Sequence, residues 1–386
     1  MDTKPPEKML SEEKAEVTSK NRILAIDRLR SIAILFVALH HSIIPYCKRG
    51  IPWWYVQDTK GVIWFDIIIL LNDTFMMPIL FFVSGYLLSF SWHRQPRPFL
   101  VAKAKRLLLP LFVGVGVLGP IIAYVHAIGG EDGPMSYLHF WIFEYLARQL
   151  EHFHYWFLGV LFLFMAFARL GRSWLVSQAE NCQFFQHLGC MRLSWLYLYM
   201  LLLGFLSLLI SVLYPFEGWI NLSGLFVCQP SRIPFYGGFF LLGLFVAKSP
   251  WDPSKASSLP VLHLIIPVAV LLSISLVAIR APGVLPGNVQ FFLSALLYPA
   301  VGASWFLILV RVAQALDRLP HRFRISRASY GIYLLHLPIL VVLQYLVINQ
   351  PIDPAIKAFS LGILAVVASY MLTHLLLRLP GVGGVL

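Results

Sequence analysis

Charge is scarce in this chain. Asp, Glu, Lys and Arg make up 12% of its 386 residues, about half of what a soluble domain carries, while 59% are hydrophobic. That excludes an ordinary soluble fold. No polar stretch is long enough to fold by itself, so a single domain is expected. Met1 to Asn21 has no apolar core and does not read as a cleavable signal peptide. It reads as a disordered cytoplasmic tail over residues 1–24, ahead of a membrane domain over 25–380. Cysteine is also sparse. Cys47, Cys182, Cys190 and Cys228 form no CxxC pair, so no zinc or other metal site is expected. Cys47 and Cys228 could share one side of a membrane and form a disulfide, although free thiols are the expectation. There is no HExxH, no GxSxG and no phosphate-binding glycine loop.

What is present is a series of apolar runs about 20 residues long, enough to cross a bilayer as helices. Ten spans are predicted, at about 26–46, 72–92, 106–128, 154–171, 193–214, 234–248, 259–279, 289–311, 329–348 and 355–379. Val62 to Leu71 reads as an interfacial or re-entrant piece before the second span. The fold class is therefore all-α, a polytopic bundle of about ten transmembrane helices.

The formal charge of +12 does not imply nucleic acid, because the basic residues flank the spans. With ten spans both termini share a side, and that side holds 23 of the 30 Lys and Arg. The other keeps Lys48, Arg49, Lys60, Arg148, Arg232, Arg280 and Lys357. The excess predicts cytoplasmic termini in a cell (inner) membrane.

The stretch Ile26 to Tyr46, IDRLRSIAILFVALHHSIIPY, is long enough to span yet carries Asp27, Arg28, Arg30, His40 and His41. Arg30 and His41 lie eleven residues apart, about three turns plus 20°, so they share one face about 16 Å apart. Ionisable groups at membrane depth tend to face a polar interior and mark a functional path. Interfacial anchoring is the ordinary alternative. His41 suits general base work or acyl transfer near neutral pH. Arg30 stays protonated and grips phosphate or carboxylate. His40 points about 100° away.

Other candidates follow along the chain. Ser84 and Gly85 in FFVSGY allow close helix packing or ligand passage. Lys103, Lys105 and Arg106 set topology or hold phosphates at a cavity mouth. Glu144, Glu151, His152, His154, Tyr155 and Trp156 offer sugar recognition, or only an interfacial aromatic belt. Tyr333 and His336 share a face of the ninth span. Asp66 and Asp73 are candidate carboxylate partners for a histidine, and His263 and His374 read as core or interface residues.

These residues resemble the membrane acyltransferase 3 family. The resemblance rests on Arg30-x10-His41 preceded by Ile26-Asp27 and Leu29, on FFVSGY at Phe81 to Tyr86, and on the Lys105 to Pro110 run. HYWFL at His154 to Leu158, FFLLG at Phe239 to Gly243 and SYGIYLLHLP at Ser329 to Pro338 complete the ordered set. FMMPILFFVSGY and HYWFL look most like the glucan succinyltransferase branch. The resemblance implies transfer of an acetyl or succinyl group from acyl-coenzyme A to a carbohydrate or glycan at the membrane. It implies no permanently bound cofactor. It makes His41 the base or acyl carrier, Arg30 its partner, and Ser84, Gly85 and Arg106 family positions. Lys103, His154, Trp156, Tyr333 and His336 complete the expected substrate or donor contacts. Tyr155 departs from the Leu often found in the glucan branch and puts the acceptor in question. The competing reading is a transporter or a lipid-linked sugar exporter using the same Arg and His.

Overall fold

A computed structural model describes residues 6–50, 53–92, 95–129, 136–148, 150–222, 226–249, 251, 259–316 and 325–384. Among these, ten helical stretches are long and apolar enough to cross a membrane. They are Leu24–Tyr46, Ile63–Ser91, Pro96–Gly129, Tyr137–Leu170, Leu193–Ser211, Pro230–Lys248, Val261–Ile279, Gly287–Ala315, Ile325–Val347 and Pro354–Leu376. The sequence-based count and order hold. The chain is an all-α, multi-pass bundle, with one small antiparallel hairpin, Ile220–Leu222 against Phe226–Cys228, among the described residues.

Several boundaries differ from expectation, each for a local reason. The first helix runs Pro6–Ile43, so the expected tail is helical from Pro6 onward. Its SEEKAEV segment is rich in good helix formers. Residues 1–5 lie outside the described residues, as do Arg94, Lys255, Arg318, Arg322 and Arg324 of the charge tally. Val62 to Leu71 is no separate re-entrant piece. Ile63–Asp73 is a helix that continues into Met76–Leu88 after a short break, and together they make the second span. Polar side chains are buried at that break. Asn72 donates to the Phe36 carbonyl at 2.9 Å, and Thr74 donates to the Leu71 carbonyl at 2.6 Å.

The third and fourth spans also start earlier than predicted, the third at Pro96 with proline in its first turn and the fourth at Tyr137, and both contain π-turns, at Gly114–Leu118 and Phe140–Tyr145. A π-turn frees backbone carbonyls, which must find donors in lipid. Tyr145 donates to the Val115 carbonyl and Trp141 to the Gly116 carbonyl, both at 2.8 Å. The tenth span starts cleanly. Asp353 caps the Ala355 and Ile356 N–H groups, with Pro354 in the first turn.

The first span packs against the second, eighth, ninth and tenth and so lies at the centre of the bundle. The seventh and tenth spans are only 28% buried, with Leu271, Ile274, Ile363 and Met371 turned outward. That is the pattern of lipid-facing helices.

The second and sixth spans meet more extensively than any other pair. Two glycines make this possible. A Cβ on Gly85 would strike the Phe240 carbonyl, and one on Gly243 would strike the Phe82 carbonyl. Gly85 is thus a packing residue, and the donor contact expected for it is not where the structure puts it. Gly85→Val and Gly243→Val should each destabilise the bundle by about 1–3 kcal/mol or more through overpacking. Gly287→Ala, which meets nothing within 4 Å, should not. Survival of the monodisperse protein after heating in detergent measures the difference.

Candidate active site

Arg30 and His41 sit on one unbroken helix, and both dock on the ninth span. Arg30 Nε donates to Ser329 Oγ at 3.1 Å and Nη2 donates to the Ser326 carbonyl at 2.9 Å. Asp27 lies 3.1 Å from the same Nη2. Farther along, His41 Nδ1 is 2.9 Å from His336 Nε2, and the two rings meet nitrogen to nitrogen, 5.2 Å between centres and 14° between their planes. Gln344 donates to the His41 carbonyl at 3.0 Å. A guanidinium and two imidazoles in an apolar bundle need partners, and the ninth span supplies them at three levels.

Pro338 lies inside the ninth span and leaves a gap in its backbone hydrogen bonding. Proline has no N–H, and its ring pushes away the carbonyl four residues back. That carbonyl belongs to Leu334, and Tyr155 Oη donates to it at 2.9 Å. The neighbouring Tyr333 carbonyl accepts from His154 Nε2 at 2.8 Å and faces His336 Nδ1 at 2.9 Å. In return the Tyr333 hydroxyl donates to the His154 carbonyl. His154 and Tyr155 come from a break in the fourth span, where Phe153 takes a left-handed φ of 46°. A bulky residue there costs about 1–3 kcal/mol, which the surrounding contacts must offset. Three imidazoles therefore converge, with ring centres 5.2 Å apart for His41–His336, 4.9 Å for His154–His336 and 6.2 Å for His41–His154. Among the described residues, no group of three His, Cys, Asp or Glu is placed to hold a metal ion.

Trp54 covers this centre. Its ring stacks on His41 at 5.5 Å, and its Nε1 donates to Gln344 Oε1 at 3.3 Å. The connection that carries Trp54 is pinned by a buried ion pair, Lys357 to Asp58 at 2.7 Å, and by Asp66, which accepts from the Lys48 and Arg49 N–H groups. Cys47 and Cys228 are free thiols. Burial, with Asp66 nearby, pushes Cys47 up to about 12, so it stays protonated at neutral pH.

At the Arg30 end lies a cavity of about 150 Å³. Arg30, Lys103, Arg106, Ser84, Tyr330 and Tyr333 provide its polar lining, between walls that include Leu80, Leu107, Leu158 and Met165. Tyr330 donates to the Arg106 carbonyl at 2.6 Å and tethers the third span to the ninth. Tyr333 belongs to both centres, lining the cavity and touching His154 and His336.

The predicted residues thus divide into groups. Arg30, Ser84, Lys103, Arg106 and Tyr333 meet around the cavity, while His41, His154 and His336 meet beyond it. Trp156 joins neither group. It is packed among Phe81, Tyr236 and Trp219, so the substrate contact expected for it gives way to an aromatic core role. Tyr155 is fully buried and serves the Leu334 carbonyl, so its departure from the glucan branch concerns scaffolding more than the acceptor. Among the described residues neither Asp66 nor Asp73 hydrogen-bonds a histidine, although the Asp73 charge lies close enough to act on His40. Asp73 binds Arg232, with Tyr298 at 3.4 Å, and Arg232 lies over the Phe216 and Tyr298 rings. His40 is buried beside His41, and its Nδ1 has no hydrogen-bond partner among the described residues. Sequence reasoning passed over Trp54, Ser326 and Gln344, and named Ser329 only as the start of a motif. Gln344 had a signal, being an amide in the apolar run VVLQYLV.

No curated protein matches the chain. The family profile described as an acyltransferase domain matches residues 23–374, which takes in all six motifs and both centres. The chain therefore belongs to the acyltransferase 3 family and is a multi-pass membrane acyltransferase.

Proposed function

We propose that the protein is an integral-membrane O-acyltransferase that moves an acetyl or succinyl group from a cytoplasmic acyl-coenzyme A to a hydroxyl of a carbohydrate or glycan. The observation that carries this reading is a cation-lined cavity at Arg30 and, on the same helix face about 16 Å from Arg30 by helical rise, a histidine centre at His41. Arg30, Lys103 and Arg106 suit phosphates, and the apolar walls suit a thin pantetheine arm. Arg30 already bonds Ser329, Ser326 and Asp27. Its charge is fixed in place, and the more exposed Arg106 is the better phosphate ligand. The basic excess puts this end in the cytoplasm, with both termini. The donor is a substrate, and no resident cofactor is invoked.

At the His41 end the acceptor hydroxyl oxygen bonds to the acyl carbon and the carbon–sulfur bond breaks. The hydroxyl proton passes to the His41 ring and then to the departing thiolate. If the acyl group rests on His41 first, the same ring attacks as nucleophile. Both routes need an unprotonated ring nitrogen. Trp53, 63% exposed beside Trp54, offers an aromatic face to a sugar. The motifs shared with the glucan succinyltransferase branch favour a succinyl group on a glucan.

His41→Ala should lower acyl transfer roughly 10²–10⁴-fold while the protein still inserts and binds donor. His40→Ala should keep most activity. Purified protein assayed at saturating acyl-coenzyme A tests this, and the reverse pattern would refute the assignment. Arg106→Ala should raise the donor KM about tenfold or more, the loss of a charged hydrogen bond, with acceptor KM little changed. Topology is tested by reporter fusions at Gly133 and Ser257, which should report opposite sides of the membrane.

A further inference from the structure

His336 lies in a family motif, yet neither the donor cavity nor the proposed transfer chemistry uses it. Its surroundings fix where its proton sits. Nδ1 is 3.0 Å from the Ile332 carbonyl and 2.9 Å from the Tyr333 carbonyl. Carbonyl oxygens only accept hydrogen bonds, so a bare nitrogen there would set lone pair against lone pair. The proton therefore sits on Nδ1. His336 is fully buried, and among the described residues no carboxylate pairs with it, so a second proton would leave an unpaired cation in an apolar bundle. The neutral ring then has a lone pair on Nε2.

That lone pair faces His41 Nδ1 at 2.9 Å. An acceptor on one side requires a donor on the other, so His41 carries its proton on Nδ1. Its Nε2 is left bare. In water a neutral histidine favours the opposite tautomer, with the proton on Nε2. We propose that His336 is a positioning residue that locks His41 in the Nδ1–H form and so makes Nε2 its one reactive nitrogen. Where a carboxylate commonly orients a catalytic imidazole, here a second neutral imidazole does so, itself oriented by two backbone carbonyls. Gln344 on the His41 carbonyl and Trp54 on the ring face hold the imidazole at the angle this bond requires. His336 needs no contact with either substrate to matter.

The kinetic part of this inference rests on the acyl-transfer reading, whereas the tautomer itself does not. The decisive experiment is nitrogen NMR of full-length protein in lipid nanodiscs with 15N-labelled histidine, its His41 signals identified by their loss in His41→Ala. We expect wild-type His41 to carry hydrogen on Nδ1 and a bare Nε2 at neutral pH. His336→Leu should move the hydrogen to Nε2 or give a mixture. A wild-type His41 protonated on Nε2 would overturn the proposal, as would a His336→Leu protein whose His41 keeps the Nδ1–H form. In the assay, His336→Leu should lower kcat at least roughly tenfold, in the manner of a mis-set tautomer, with donor KM within twofold. His336→Gln, which offers an amide oxygen near the lost Nε2, should recover part of kcat and the Nδ1–H signal together. Equal loss in Leu and Gln variants that both stay monodisperse would reduce His336 to packing. If no acyl transfer is found at all, the wild-type spectrum still decides the tautomer.

Discussion

The fold hangs on the contact between the first and ninth spans. A membrane interior offers no water to an arginine or a histidine, so each must find a partner within the protein. Arg30 finds Ser329 and the Ser326 carbonyl, and His41 finds His336. Eleven residues separate the two groups on the first span, but only seven separate Ser329 from His336, a difference of about 6 Å in helical rise. The long Arg30 side chain takes up part of this. Two bonds at separate levels fix both the rotation and the register of one helix against the other.

Around that pair the remaining motifs act as supports. Pro338 frees the Leu334 carbonyl of the ninth helix, which Tyr155 meets, while His154 from the same break in the fourth span meets the neighbouring Tyr333 carbonyl. The second and sixth spans interlock through Gly85 and Gly243, which brings backbone against backbone where any side chain would intrude. Ser84, the neighbour of Gly85, thereby reaches the cavity that Arg30, Lys103 and Arg106 line. A single dipeptide serves packing with one residue and the site with the other.

The two centres differ in character. The Arg30 cavity is cationic and near one end of the bundle. The His41 centre, beside the buried His154 and His336, is capped by Trp54, and a buried Lys357–Asp58 pair holds down the connection that carries the cap. Removing one member of such a pair leaves a buried charge, typically costing about 3–5 kcal/mol. The cap is therefore a fixed part of the site.

Much of this was legible in the sequence. The scarcity of charge and the length of the apolar runs determined an all-α bundle of ten spans, because unsatisfied backbone cannot cross lipid in any other way that this chain permits. Helical periodicity put Arg30 and His41 on one face, since that depends only on the 3.6-residue turn. The partners were not legible. That His41 meets His336, that Arg30 leans on Ser329, that Asp73 takes Arg232, and that Trp156 packs away from the cavity all depend on which helices become neighbours. That choice is made by glycine contacts, a proline break and π-turns acting between segments up to about 300 residues apart, as with the 299 positions from Arg30 to Ser329. Local sequence sets the face a side chain occupies, and only the packed bundle decides what that face meets.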